Sequence, residues 1–314
     1  MRFKFSTGFL ILIMSVISIQ AQDEVLIQDY SQLMNIPSIR AIEASPTHLY
    51  ILSDQDGMAV FRIKPENLQW LYTSSGMQRR GYHLSADVRF AYMFGENKRL
   101  TILEPTSVLG VYSATLLPQK PLAAARLQNK LYVALGESGL GALSLDTPET
   151  VDSEISIIQD VGRNVSVIDV ISSPITNQLF VLTANSKLDV FTSEDNTLTF
   201  SESKNISQRL SDLFIDEDRL WGASERGDLF EITGNGLGRK VGTINEKIET
   251  VKFWNGFTFV RSVSGKLWYS KNREPLTSWK TDTQAGNYIA KSGNKLWLVE
   301  NNKGTRLAVS TLDR

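Results

Sequence analysis

Arg79 and Arg80, with Tyr82 and His83 just after them, bring two guanidinium groups, a phenol and an imidazole within five residues. Paired guanidinium forks can grip a carboxylate or a phosphate bidentately, and a neighbouring aromatic ring can flank the bound group. The plainer alternative for the two arginines is a solvated basic loop. A histidine can act as a general base near neutral pH, but the sequence around His83 offers no partner to orient it. The second of the two histidines, His48, follows the Pro46-Thr47 turn and is expected at the surface. Arg79, Arg80, Tyr82 and His83 are therefore candidates for a binding face, and no residue is assigned a catalytic role.

Other chemistry is sparse. Asp54-Gln55-Asp56-Gly57 has the first spacing of a calcium loop, but Pro65 stands where its bidentate Glu would be, so it reads as an ordinary turn. There is no P-loop, no HExxH and no GxSxG, and the chain contains no cysteine. The expectation is no resident metal and no cofactor. Asp87, Asp160, Asp169 and Asp212 could reach a common axis if the fold has one. Three or more carboxylates converging at one end of it would favour a metal-dependent lactonase or lyase, or a quinone-dependent dehydrogenase. Asn164-Val165-Ser166 and Asn205-Ile206-Ser207 match glycosylation sequons, which matter only in a eukaryotic secretory pathway.

The elements that must position these residues follow a repeat. Seven segments carry an apolar–aromatic–apolar run, mostly followed by a turn and a second apolar run. They begin at Leu49-Tyr50, Phe90-Ala91, Leu131-Tyr132, Leu179-Phe180, Leu220-Trp221, Phe257-Thr258 and Leu296-Trp297. A period near 40 residues built from short strands and tight turns is the mark of a β-propeller. The expected fold is all-β: seven blades, each of four antiparallel strands. In the first unit the strands are 38–43, 48–53, 58–63 and 68–74. Gly57, Gly139, Gly227 and Gly265 close the turns between second and third strands, where a hairpin needs positive φ. Two units have Asn97 and Asn185 in these turns instead, and asparagine tolerates that conformation. The polar stretch 147–154 lengthens the third unit. The last unit lacks a fourth strand, and 24–30 is an unassigned apolar segment. Pairing it with the last unit closes the ring, and six blades is the alternative if it does not pair. The six tryptophans are expected mainly in packing between blades rather than as a sugar-binding platform.

Residues 1–21 read as a secretory signal peptide: Arg2 and Lys4, an apolar run from Phe9 to Ile19, and a small residue, Ala21, before Gln22. Residues 22–314 then form one propeller domain. Without the signal, 31 basic face 34 acidic residues, a formal charge of −3. That balance disfavours nucleic acid and anionic membranes as partners, and no second apolar run predicts membrane insertion. Gln20-Ala21-Gln22 reads as a bacterial signal ending, which places the mature chain in the periplasm or outside the cell.

The repeat, best seen in Leu220-Trp221-Gly222-Ala223-Ser224 followed by Gly227-Asp228-Leu229, resembles the bacterial secreted propellers with YVTN-type, PQQ-type and regulator-type repeats. That class includes scaffolds, glycan binders, lactonases and dehydrogenases, so the resemblance implies architecture and carries over no catalytic residue. The expected function is a non-catalytic, WD40/YVTN-like interaction module with another envelope protein as partner. The alternatives are a channel-centred enzyme, or binding of a glycan or small ligand through Tyr82 and Tyr288.

Overall fold

The computed structural model describes residues 26–313 apart from 30–35, 37–38, 54–56, 66, 75–80, 106–110, 146–154, 159–160, 162–164, 217–218, 235, 272–273, 280–286, 294 and 303–305. Strand β1 (Leu26–Asp29) precedes the repeats. Sheet 1 holds β2 (Ile39–Ala44), β3 (His48–Ser53), β4 (Gly57–Ile63) and β5 (Leu68–Ser74). Sheet 2 holds β6 (Gly81–Ala86), β7 (Ala91–Gly95), β8 (Arg99–Leu103) and β9 (Val111–Leu116). Sheet 3 holds β10 (Ala123–Leu127), β11 (Lys130–Ala134), β12 (Leu140–Ser144) and β13 (Ser156–Ile158). Sheet 4 holds β14 (Val167–Ser173), β15 (Gln178–Thr183), β16 (Lys187–Glu194) and β17 (Thr197–Asn205). Sheet 5 holds β18 (Leu210–Asp216), β19 (Arg219–Ser224), β20 (Asp228–Thr233) and β21 (Gly236–Thr243). Sheet 6 holds β22 (Ile248–Trp254), β23 (Phe257–Ser262), β24 (Leu267–Lys271) and β25 (Thr277–Ser278). Sheet 7 holds β26 (Asn287–Ser292), β27 (Lys295–Asn302) and β28 (Arg306–Asp313), with β1 as its fourth strand.

All these pairings are antiparallel meanders, and β1 joins β28 with Leu26 opposite Asp313 and Asp29 opposite Ser310. The first strand of each sheet lies against the first strand of the next, from β2 round to β26, and β26 lies against β2. This is a β-propeller of four-stranded antiparallel blades around a central channel. The stretch 147–154 falls between β12 and β13, outside the described residues.

The cores sit between the sheets. Ile42, Leu49, Phe61 and Trp297 share one cluster across sheets 1 and 7. Phe94, Leu100, Leu131 and Val133 share another across sheets 2 and 3. Each sheet thus buries one face on its predecessor and one on its successor, and alternation along the strands supplies both faces. Pairing also fixes the repeat register. The residues in line with Tyr50 are Tyr92, Tyr132, Phe180, Trp221, Phe259 and Trp297, opposite Glu43, Ser85, Ala125, Ile171, Phe214, Lys252 and Ala290. Tyr92 and Phe259, not Ala91 and Thr258, occupy the repeat position, so all seven are aromatic. Trp221, Trp254 and Trp297 are buried, Trp221 stacking on Phe253 at 4.6 Å, whereas Trp70 is 50% exposed.

Two turns depart from expectation. The left-handed residues in the glycine-free turns are Lys98 (φ 63°) and Ser186 (φ 63°), not the asparagines. The asparagines serve through their side chains instead: Asn97 Oδ1 accepts from Arg99 N at 3.3 Å, and Asn185 Oδ1 accepts from Thr183 Oγ1 at 2.6 Å. At Gly227 (φ 85°), a Cβ would lie 2.1 Å from the carbonyl oxygen of Glu246, so glycine is required there.

Candidate functional site: the central channel

The inner strands enclose a cavity of about 900 Å³. Its entry end is formed by the starts of these strands, and its turn end by the loops that lead to the second strands. Five inner strands, β2, β6, β14, β18 and β22, carry a register shift near their start. Such a bulge bends the strand and re-aims its side chains. Directly after the shift come Ala41, His83, Asp169, Asp212 and Thr250, which puts His83 and the two aspartates at equivalent positions at the entry end.

Asp169 is buried. Its Oδ1 accepts from Val170 N at 2.7 Å, and its Oδ2 accepts from Leu213 N of sheet 5 at 2.5 Å. Burial, and then the neighbouring Asp212, push its carboxyl up to about 8. Burial raises Asp212 as well, and Asp212 Oδ2 is shielded from solvent without a hydrogen-bond partner. The Lys247 ammonium pulls both carboxyls down. His83 stacks on Phe94 with ring centroids 5.4 Å apart, and burial followed by the Lys252 charge lowers its imidazole to about 4. It is neutral at physiological pH.

Elsewhere several of the channel charges are paired with one another. Lys252 Nζ reaches Glu43 at 3.1 and 3.2 Å, joining sheets 6 and 1 in front of sheet 7, where the equivalent position is the small Ala290. Glu249 pairs with Arg261, whose guanidinium lies 4.2 Å above the Tyr288 ring. At the turn end Asp87 accepts from Arg89 N (2.7 Å), Phe90 N (2.8 Å), Tyr92 Oη and Arg126 Nη1 (3.3 Å). Among the described residues, no group of three or more His, Cys, Asp or Glu side chains is arranged to hold a metal ion.

Arg79, Arg80 and Asp160 lie outside the described residues, as do Asp54 and Asp56. Tyr82 and His83 are adjacent on β6, where the register shift leaves Tyr82 packed against the same cluster that holds Phe94, the residue opposite His83. Tyr82 Oη donates to Pro121 O, Lys120 Nζ lies 4.0 Å above its ring, and burial raises its phenol. Tyr288 Oη donates to Ile39 O. Both tyrosines therefore bridge adjacent sheets. His48, expected at the surface, is buried: it sits under the turn at 45–47, with its Nδ1 2.8 Å from Thr47 Oγ1 and its Nε2 unpartnered. The reasoning from sequence missed Glu43, Arg126, Glu249 and Lys252. For Glu43 and Lys252 a signal existed, because both stand opposite the repeat aromatic.

No family model and no curated protein matches the chain. Among solved structures it is similar to the β-propeller domain of Cps50 (Swd1) from Myceliophteria thermophila, with a TM-score of 0.67 and 10% identity over 87% of this chain and 96% of that one. In all, 1627 solved chains match the fold, so the likeness identifies an architecture and no activity. Among the described residues no helix is long and apolar enough to cross a membrane.

Proposed function

We propose that the chain is an exported, seven-bladed propeller, its ring fastened by β1, that works as a non-catalytic protein-interaction scaffold of the bacterial envelope, in the manner of the secreted YVTN, PQQ and regulator-type propellers. The observation that carries this reading is the internal pairing of the channel charges: Glu43 with Lys252, Asp87 with Arg126 and Glu249 with Arg261. Groups already matched to one another hold sheets together and are not free for chemistry. The residues proposed for binding are then Arg79, Arg80, Tyr82 and His83, of which Tyr82 and His83 sit at the entry end.

The test is an affinity pull-down of residues 22–314 from solubilised envelopes, with an Arg79→Ala/Arg80→Ala bait in parallel. A specific partner lost from the double variant supports the reading, and no partner from either bait overturns it. Deleting 22–32 tests the closure, with a large drop in melting temperature expected and unchanged melting counting against it. A channel-centred enzyme is the second reading. It is favoured by Asp169 and Asp212, the raised pair left short of partners in a cavity of small-ligand size. Metal analysis of the purified protein addresses it.

A further inference from the structure

The Asp169 carboxyl belongs to sheet 4 but receives its hydrogen bonds from two sheets, from Val170 N in its own strand and from Leu213 N in sheet 5. Both oxygens are held, so the group cannot swing away. The next residue back from Leu213 is Asp212, whose Oδ2 is buried and unpartnered. Two carboxyls so placed across a seam cannot both ionise without cost, since neither is solvated well enough to carry a second charge. We propose that the seam between sheets 4 and 5 is a proton-operated joint: a proton held by the Asp169–Asp212 pair keeps it closed, and loss of that proton loosens the entry end of the channel.

The surrounding charges leave the joint to this pair. The elements packed on β14 are β10, β11, β15 and β18. In β10 the charged residue is Arg126, which is committed to Asp87. In β11 it is Lys130, at the strand's first residue, and β15 has none. In β18, besides Asp212, it is Asp216, the strand's last residue. On the far side of Asp212, β19 carries Arg219 at its first residue, Glu249 in β22 pairs with Arg261, and Lys252 pairs with Glu43. The Ser211 hydroxyl lowers Asp212 and Glu225 raises it further, and among the described residues Lys247 is the cation that acts on both carboxyls. The raised position of Asp169 agrees with this arrangement, and the Leu213 amide is its natural reporter.

The experiment follows the Leu213 amide by ¹H–¹⁵N NMR on the intact mature protein from about pH 5 to about pH 9, with its hydrogen-exchange rate. The expected result is a shift with a midpoint well above the ordinary carboxylate value of about 4, with protection lost over the same range. Asp212→Asn should move the midpoint down, and Lys247→Ala should move it up. An amide that does not titrate in the wild type, or a midpoint unchanged by Asp212→Asn, overturns the proposal. If Asp212→Asn does not fold, Lys247→Ala alone decides, because an unmoved midpoint there has the same force.

Discussion

The two ends of the channel treat their carboxyls differently. Asp87 at the turn end is saturated: two backbone amides, a phenol and a guanidinium point at it. Asp169 at the entry end meets two amides and a like-charged neighbour, and Asp212 keeps one oxygen without a partner. A carboxylate with four donors is mortar between sheets 2 and 3. At the other end burial and the neighbouring Asp212 raise Asp169, and Asp212 Oδ2 stays buried without a partner. Two aspartates of the same chain, lining the same cavity, thus differ by what the neighbouring sheet supplies.

The contrast can be broken at the turn end first. His48 lies there, and its imidazole is lowered to about 4 by burial and then by Arg62. The folded state prefers the neutral ring, so its contribution is whole above the free value of about 6.5 and is lost as pH falls to 4, a change of roughly 3 kcal/mol. The expected outcome is acid destabilisation in denaturant melts that His48→Gln flattens. Asp87→Ala removes a turn cap and an inter-sheet ion pair together. It should cost about 2–3 kcal/mol by chemical unfolding at neutral pH. The pair is only partly buried, and a loss under about 0.5 kcal/mol would mean that solvent already replaces those bonds.

Asp169→Asn sharpens the other half. A raised folded pKa stabilises most below the free value and loses that benefit as pH rises toward 8, the reverse of His48. The variant should flatten the fall in melting temperature between about pH 5 and about pH 8, and parallel profiles would erase the difference between the two ends. The smallest effects belong to the turns beside the entry end. Lys98→Gly and Ser186→Gly relieve left-handed residues and should each raise stability by about 0.5–1 kcal/mol in urea unfolding.

Much of the fold is legible in the sequence because its determinants are local. Aromatic and aliphatic residues alternate, turns carry glycine, and the last unit is short of one strand. The slip at Ala91 and Thr258 has a local cause too. Phe90 and Tyr92, like Phe257 and Phe259, are aromatics two residues apart, and only pairing with β6 and β22 selects between them. The site is less legible. Asp169 and Asp212 meet because adjacent sheets repeat the same register, and Arg126 reaches Asp87 from the next sheet. Nothing near either residue in the chain announces its partner. Tyr82 and Tyr288 look like surface aromatics until the neighbouring sheet supplies the carbonyls their hydroxyls seek. His48 misleads because a turn-flanking histidine is read as solvated, whereas the turn folds over it.

The pairing of β1 with β28 imposes an order in time. A chain emerging from its N-terminus makes β1 well before β28, so β1 has no partner strand until 306–313 follow. Until then Leu26–Asp29 is a loose end and β28 an open edge. Seating β1 on β28 joins strands far apart in the chain, so a truncation that removes either strand removes that pairing.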